Sequence, residues 1–267
     1  MAANFSTAID QRRVASALAG QGLGCEVQVH DELVSTNNFA RELGNTGYPH
    51  GLVIIAESQT AGRGRRENRW QAEMGRDILM SVLLRPAASL PFWPRITTIA
   101  ALSLCKVIET TTRLNAKIKW PNDVYLGDLK VAGILAETFI GSSGAFMVLG
   151  IGLNVNTERF TDELSAVATS LLIESDAKAA LDRTGIVITL LKQLALDMDK
   201  MEGLFSDVIL EVRARSWLLG RQIEARIQSG PVRGIAADLN EEGHLILRGD
   251  DGLTRVLTSA EHVRVVS

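Results

Sequence analysis

The chain has 267 residues, 46% of them hydrophobic and 22% charged, enough for one large domain with a smaller one beside it and a substantial core. Its net charge of −3 excludes a global field that would draw it onto nucleic acid or an anionic membrane, so any anion site must be local. Two cysteines, Cys25 and Cys105, exclude a disulfide framework; the scattered histidines show no metal-ligand spacing, and the charged N-terminus, with no long apolar run after it, argues for a cytoplasmic location.

Residues 6–20 read as a short helix with Ile9, Val14 and Leu18 at helical spacing and Gly20 near its end. The alternating run CEVQVHDEL predicts a strand, and STNNFARELG a helix opened by Ser35 and Thr36 and closed by Gly44. GLVIIAE and DILMSVLLRP are continuous apolar runs, hence strands buried on both faces. Residues 91–113 predict one long helix, and residues 116–139 short strands around WPND with a hairpin turn at Gly127-Asp128. AFMVLGIGLNVN reads as a further strand ending in Asn154 and Asn156, and residues 161–216 as mostly helical. From Trp217 onward short strands alternate with Gly, Asn and Asp turns, which predicts a small β-barrel.

Between the two buried strands lies TAGRGRRENRW, the densest cluster of arginines in the chain. Three readings fit it: a solvated surface loop, a nucleic-acid patch, or a cradle in which glycines admit close backbone approach and arginines clamp phosphate or carboxylate. No G-x-x-x-x-G-K-[ST] loop is present, and GIGLNVN lacks the third glycine of a dinucleotide fingerprint. A second constellation favours the cradle: KWPND runs by a strand and turn into LKVAGILAE, placing Asp123 and Lys130 on neighbouring segments of one hairpin with Gly133 beside them. Alone, such a Lys and Asp read as a surface ion pair.

STN (35–37), AESQTAGRGRR (56–66), Trp70, KWPNDVYLGDLKVAGILAE (119–137), GIGLNVN (150–156) and ATSL (168–171) together closely resemble the biotin–protein ligases, the biotin–[acetyl-CoA-carboxylase] ligases of the bacterial type. The resemblance implies an α+β fold: an N-terminal helical extension over 1–29, a mixed-sheet catalytic domain of the biotin/lipoate ligase type over 30–216, and an SH3-like β unit over 217–267. It implies a two-step reaction in which biotin and MgATP give biotinyl-5′-adenylate and pyrophosphate, and a lysine of a biotin carboxyl carrier domain then displaces AMP. By match to the family pattern, Ser35, Thr36, Asn37, Gln59, Gly62, Arg63, Gly64, Arg65, Lys130 and Gly133 meet biotin. Arg63, Arg65, Arg66, Trp70, Lys119, Asn122 and Asn154 meet the nucleotide, while Arg65, Lys130 and Asp123 serve the chemistry, with Mg²⁺ held mainly by phosphate oxygens. Trp70 is either beside the adenine or a hydrophobic anchor at the loop's end; Asn156 is a strand-end turn residue.

The loop is expected to be mobile without ligand. Where family loops continue with Gly-Arg, this chain has Glu67 and Asn68. The short stretch before the catalytic domain predicts no repressor-type DNA-binding domain, and the expected state is monomer or homodimer. Two other readings stay open: a lipoate or octanoate ligase or transferase of similar fold, and a non-catalytic nucleic-acid-binding module.

Overall fold

A computed structural model describes residues 8–24, 26–65 and 68–266. Arg66, expected to meet the nucleotide, lies outside the described residues, as do Cys25 and Glu67. Helix α1 (Gln11–Ala17) is capped by Asp10, whose carboxylate accepts from the Arg13 backbone N–H at 3.0 Å. Its apolar face, Val14 with Leu18 just beyond the helix, is fully buried, so this segment is part of the main core. Strand β1 (Val27–Leu33) runs parallel to β2 (Val53–Gln59), with helix α2 (Thr36–Asn45) crossing between them. Gly44 lies inside α2 and does not close it: a Cβ there would meet the Phe146 ring at 2.3 Å, so glycine is what lets the helix sit on the sheet.

Strand β3 (Ile78–Leu84) is buried at every position, as its unbroken apolar run requires. The long helix expected over 91–113 divides into a 3₁₀ turn at Leu90–Phe92 and helix α3 (Arg95–Thr112). Pro91 and Pro94 are compatible with helix starts and not with helix interiors. Four strands follow: β4 (Ala116–Lys119), β5 (Asp123–Leu126), β6 (Leu129–Gly141) and β7 (Gly144–Leu153). Gly127, at φ 57°, makes the expected two-residue turn between β5 and β6. The seven strands form one mixed sheet in the order β1-β2-β3-β7-β6-β5-β4.

The segment expected to be mostly helical is more broken. It holds two single-turn helices, α4 (Asp162–Ser165) and α5 (Leu171–Glu174), then α6 (Arg183–Met198) and α7 (Phe205–Ala214). The apolar pattern of 185–205 spans two helices because the chain turns through Asp197–Met201, where Lys200 and Met201 N–H groups bond to carbonyls three residues back. Helices α1, α3 and α6 cover one face of the sheet. On the other face α2 covers only one end, over Leu52, Ile54, Leu83, Phe146 and Val148, and leaves the rest as an open trough.

The C-terminal unit is a five-stranded antiparallel sheet in the order β11 (Thr254–Leu257), β10 (Leu245–Gly249), β9 (Gly230–Leu239), β8 (Gln222–Ile227), β12 (Glu261–Val265). Its core residues Ile223, Ala236, Leu245 and Leu247 belong to the same hydrophobic cluster as the main sheet. The join is also polar: Trp120 Nε1 donates to the Gly243 carbonyl at 3.1 Å, and Arg95 pairs with Glu242 at 2.7 Å. Among the described residues no helix is long and apolar enough to cross a membrane.

Candidate active site

The open trough is a cleft of about 850 Å³. One register row runs across its floor: Lys119 opposite Asp123, Asp123 opposite Gly133, Gly133 opposite Gly152, and Gly152 opposite Leu79. Directly opposed residues in antiparallel strands share a face, so two adjacent glycines leave bare backbone in the middle of the sheet. The next row pairs Ser81 with Gly150 and Gly150 with Leu135. A Cβ at Gly150 would meet the Asn37 amide at 2.1 Å, and one at Gly152 the Trp70 ring at 2.4 Å. Side chains at these positions would fill the trough.

One end of the cleft is a neutral polar pocket at the start of α2. Ser35, Thr36 and Asn37 are buried there. Gln59 Oε1 accepts from the Thr36 backbone N–H at 2.7 Å and lies 3.2 Å from its hydroxyl, which fixes the Gln59 amide. Ser81, fully buried on β3, donates to Asn37 Oδ1 at 2.6 Å and stands 2.8 Å from Thr36 Oγ1. Both hydrogens of the Asn37 amide are engaged, one at the Leu135 carbonyl (3.3 Å) and one at Glu137 Oε2 (3.1 Å). Sequence reasoning missed Ser81 and Glu137: a lone Ser within the apolar run of β3 and a Glu within β6 carry no local signal, and only the register brings them here.

The other end is charged. Lys130 Nζ lies 2.7 Å from Asp123 Oδ1 and 5.4 Å from the Trp70 ring centroid. The Asp123 contact is an ion pair by distance, without an aligned hydrogen bond. Lys119 donates to the Tyr125 hydroxyl at 2.9 Å and lies over the Tyr125 and Trp217 rings. Burial lowers the Lys119 pKa; the Asp123 carboxylate opposes that shift and the Lys130 charge adds to it. Burial, helped by Asp123, pushes the Tyr125 hydroxyl up to about 12, so it remains a neutral phenol.

The arginine loop closes over this floor as a small hairpin. Trp70 N–H bonds to the Gly62 carbonyl (3.0 Å), Arg63 bridges Arg69, and Gly64 N–H bonds to the Asn68 carbonyl (2.8 Å). Asn68 thus serves the hairpin through its backbone, which the departure from the family loop leaves intact. Gly62 lies at the root, where a Cβ would strike the Trp70 carbonyl at 2.3 Å; it does not line the cleft. Arg65 donates to Asn122 Oδ1 (3.2 Å) and to the Ala260 carbonyl (3.4 Å). Asn122 is held in turn by the Ile134 carbonyl at 2.8 Å. Arg63 is directed elsewhere, as a two-pronged pair with Glu137 (2.8 and 3.0 Å) and a bond to Asn38 (3.1 Å).

The Trp70 ring rests on Gly133 and Gly152, with its indole N–H unpartnered, so it forms part of the cleft lining and not merely the end of the loop. Asn154 is not part of that lining: its amide donates to the Thr169 carbonyl at 2.9 Å and ties β7 to the segment before α5. Asn156 is engaged with the Leu181 backbone, as a turn residue would be. The C-terminal unit supplies a wall through Ala260, Glu261, His262 and Val263, which no sequence motif announced. Among the described residues no cluster of three or more His, Cys, Asp or Glu could hold a metal ion.

Residues 31–154 match the profile of the biotin/lipoate A/B protein ligase family, and residues 218–262 that of the biotin protein ligase C-terminal domain. The bifunctional ligase/repressor BirA of Bacillus subtilis is 32% identical over 257 residues, covering 94% of this chain and 78% of that protein. The biotin–[acetyl-CoA-carboxylase] ligase of Mycobacterium tuberculosis is 33% identical over 262 residues, covering 96% and 95% respectively. A solved biotin protein ligase from Aquifex aeolicus, in complex with biotin and ATP, aligns with a TM-score of 0.78 at 26% identity over 90% of this chain and 99% of its own.

Proposed function

The chain belongs to the biotin/lipoate A/B protein ligase family as one of its biotin protein ligases, and from that membership we propose how its cleft divides the work. In the first step the biotin carboxylate attacks the α-phosphorus of ATP; the bond to the β-phosphate oxygen breaks and pyrophosphate leaves. In the second, a lysine amine of a biotin carboxyl carrier domain attacks the acyl carbon of biotinyl-5′-adenylate, AMP leaves with the bonding electron pair, and the amine loses its proton.

The observation that carries this reading is the polarity of one cleft, neutral and hydrogen-bonding at α2 and cationic at Lys130 and Arg65. The ureido ring of biotin is neutral and rich in donors and acceptors, and suits the first end. Its carboxylate and the nucleotide phosphates suit the second. At an effective dielectric of about 20, two like unit charges about 4 Å apart repel by about 4 kcal/mol, which is roughly a thousandfold in rate. We assign Lys130 and Arg65 to offset that repulsion, with Lys119 behind them.

Asp123 holds Lys130 from one side, and we assign it as the group that orients the incoming carrier lysine. Thr36, Asn37 and Gln59 with Ser35 form the biotin end, Gly133 the floor. Gly64 and Arg65 close over the adenylate, and Asn122 sets Arg65. Mg²⁺ accompanying ATP would be held mainly by phosphate oxygens, since no cluster of protein carboxylates or imidazoles that could hold a metal ion lies among the described residues, and would lower the charge of the departing pyrophosphate. We take 30–216 as the catalytic unit and 217–267 as the unit that completes its cleft, in a cytoplasmic enzyme acting as monomer or homodimer without nucleic acid. An acyl transferase using a cysteine finds no support at Cys105: it is buried within α3, and burial pushes its thiol pKa up.

The test is pyrophosphate release from the purified protein with MgATP, comparing biotin, lipoate and no acid. Release that requires biotin is expected. Release with lipoate alone would keep the chemistry and change the substrate, and release with neither would remove the adenylation step.

A further inference from the structure

We propose that Glu137 is a positioning residue of this cleft, which ties the arginine hairpin to the polar pocket by holding Arg63 and Asn37 on one carboxylate. The inference rests on the adenylation reading above. Arg63 meets Glu137 through both terminal nitrogens, at 2.8 and 3.0 Å, while Asn37 Nδ2 meets the same carboxylate at 3.1 Å. Glu137 stands on β6, Asn37 on α2 and Arg63 on the hairpin, so three elements converge on one side chain.

A surface ion pair would be worth little. This one differs in three ways. It is two-pronged, which fixes orientation as well as distance. Its side chains are only 34% and 23% exposed. Its carboxylate also accepts from a residue of the polar pocket, so the bonds continue from Arg63 through Glu137, Asn37, Ser81 and Thr36 to Gln59.

Two consequences follow from counting donors. Asn37 spends one hydrogen on Glu137 and the other on Leu135, so its oxygen is forced toward Ser81 and the amide has one orientation. The Arg63 charge is met by Glu137, so Arg63 acts on the ligand through the place it gives the hairpin. A chain of this kind lets occupation of the polar pocket bias the position of the hairpin without any ligand bridging the two.

Three full-length variants test this: Glu137→Gln, Arg63→Gln and the double variant, each assayed by biotin-dependent pyrophosphate release with biotin and ATP varied separately. A glutamine turns two donors toward Arg63 or Asn37. Glu137→Gln is expected to raise the KM for biotin about tenfold or more, with a smaller effect on kcat and on the KM for ATP, because hydrogen bonds to charged groups are the stronger ones. The double variant is expected to be no worse than Arg63→Gln alone, since removing Arg63 singly leaves an unmatched, largely buried carboxylate against the polar pocket. Glu137→Asp, which keeps the charge, is expected to recover part of the loss.

An unchanged biotin KM in folded Glu137→Gln overturns the proposal. So do fold-changes that multiply in the double variant, which would mean that Arg63 touches the ligand independently. So does better recovery by Gln than by Asp. Absence of biotin-dependent release in the wild-type protein would instead remove the adenylation reading, and this inference with it.

Discussion

Ser81 is the lone polar side chain on β3, and everything it does depends on its partner across the ladder being Gly150. Replacing it by alanine strands Asn37 Oδ1 without a donor, a loss of about 1–3 kcal/mol for a buried polar atom. We expect Ser81→Ala to weaken biotin binding about tenfold or more while helical and strand content stay unchanged; calorimetric titration with biotin checks it. Lys130→Ala should slow adenylate formation far more than it weakens biotin binding, because its charge matters most as the α-phosphate is attacked; single-turnover rates against biotin affinity separate the two. Arg65→Gly opens the hairpin where it meets Asn122 and Ala260, and is expected to release activated biotin so that bystander lysines become labelled. Unchanged labelling specificity would remove Arg65 from the closure. At this scale the sequence was most legible where chemistry is local: glycines and arginines in one loop, or Asp123 and Lys130 around one turn. Asn154 misleads for the same reason, since a polar residue at a strand end looks available until the fold shows its amide on Thr169.

Elements were legible wherever apolar period and turn chemistry agreed, as in β2, β3, β7 and the Gly127 turn. They were less so where proline or a short polar interval cut an apolar pattern, as before α3 and between α6 and α7. The sheet's open face could not be inferred, because Gly133, Gly150 and Gly152 read as weak strand residues until register aligns them. Gly152→Ala puts a Cβ against Trp70, and overpacking of this kind costs about 1–3 kcal/mol. We expect the ring to move off the floor, seen as a shift in tryptophan emission, together with a rise in biotin KM. Normal emission and normal KM would show that Trp70 relaxes without consequence for the cleft.

The whole molecule is also held by buried charges away from the cleft. Glu57 and Arg183 pair at 2.8 Å with side chains 6% and 3% exposed, and Glu57 also accepts from the Ile9 backbone N–H at 2.8 Å. Arg183 further donates to the Asp77 carbonyl. Removing one member of such a pair costs about 3–5 kcal/mol, so Arg183→Met should lower the urea midpoint markedly while Arg13→Met, at an exposed pair, should barely move it. Asp197 behaves differently. Burial raises its pKa, but bonds from Lys106, Gln193 and Ser103 outweigh burial and leave it below the ordinary carboxylate value. Its stabilising contribution is therefore present above the unfolded pKa of about 3.9 and is lost as pH falls through the lower folded value. Asp197→Asn should flatten the acid limb of a stability–pH curve, and an unaltered limb would assign acid sensitivity elsewhere. The docking of the C-terminal sheet against Trp120, Arg95 and Arg65 is the least legible feature of all, since no local pattern encodes a contact 195 residues away.

The bare floor between β6 and β7 also sets a direction for change. A surface that presents only backbone has no side chain to give up, so every substitution at Gly133, Gly150 or Gly152 subtracts space. Variants of this enzyme that accept bulkier biotin analogues must therefore arise in the walls, at positions such as Thr36, Gln59 or Trp70, whereas changes in the floor can only narrow the range of acids admitted.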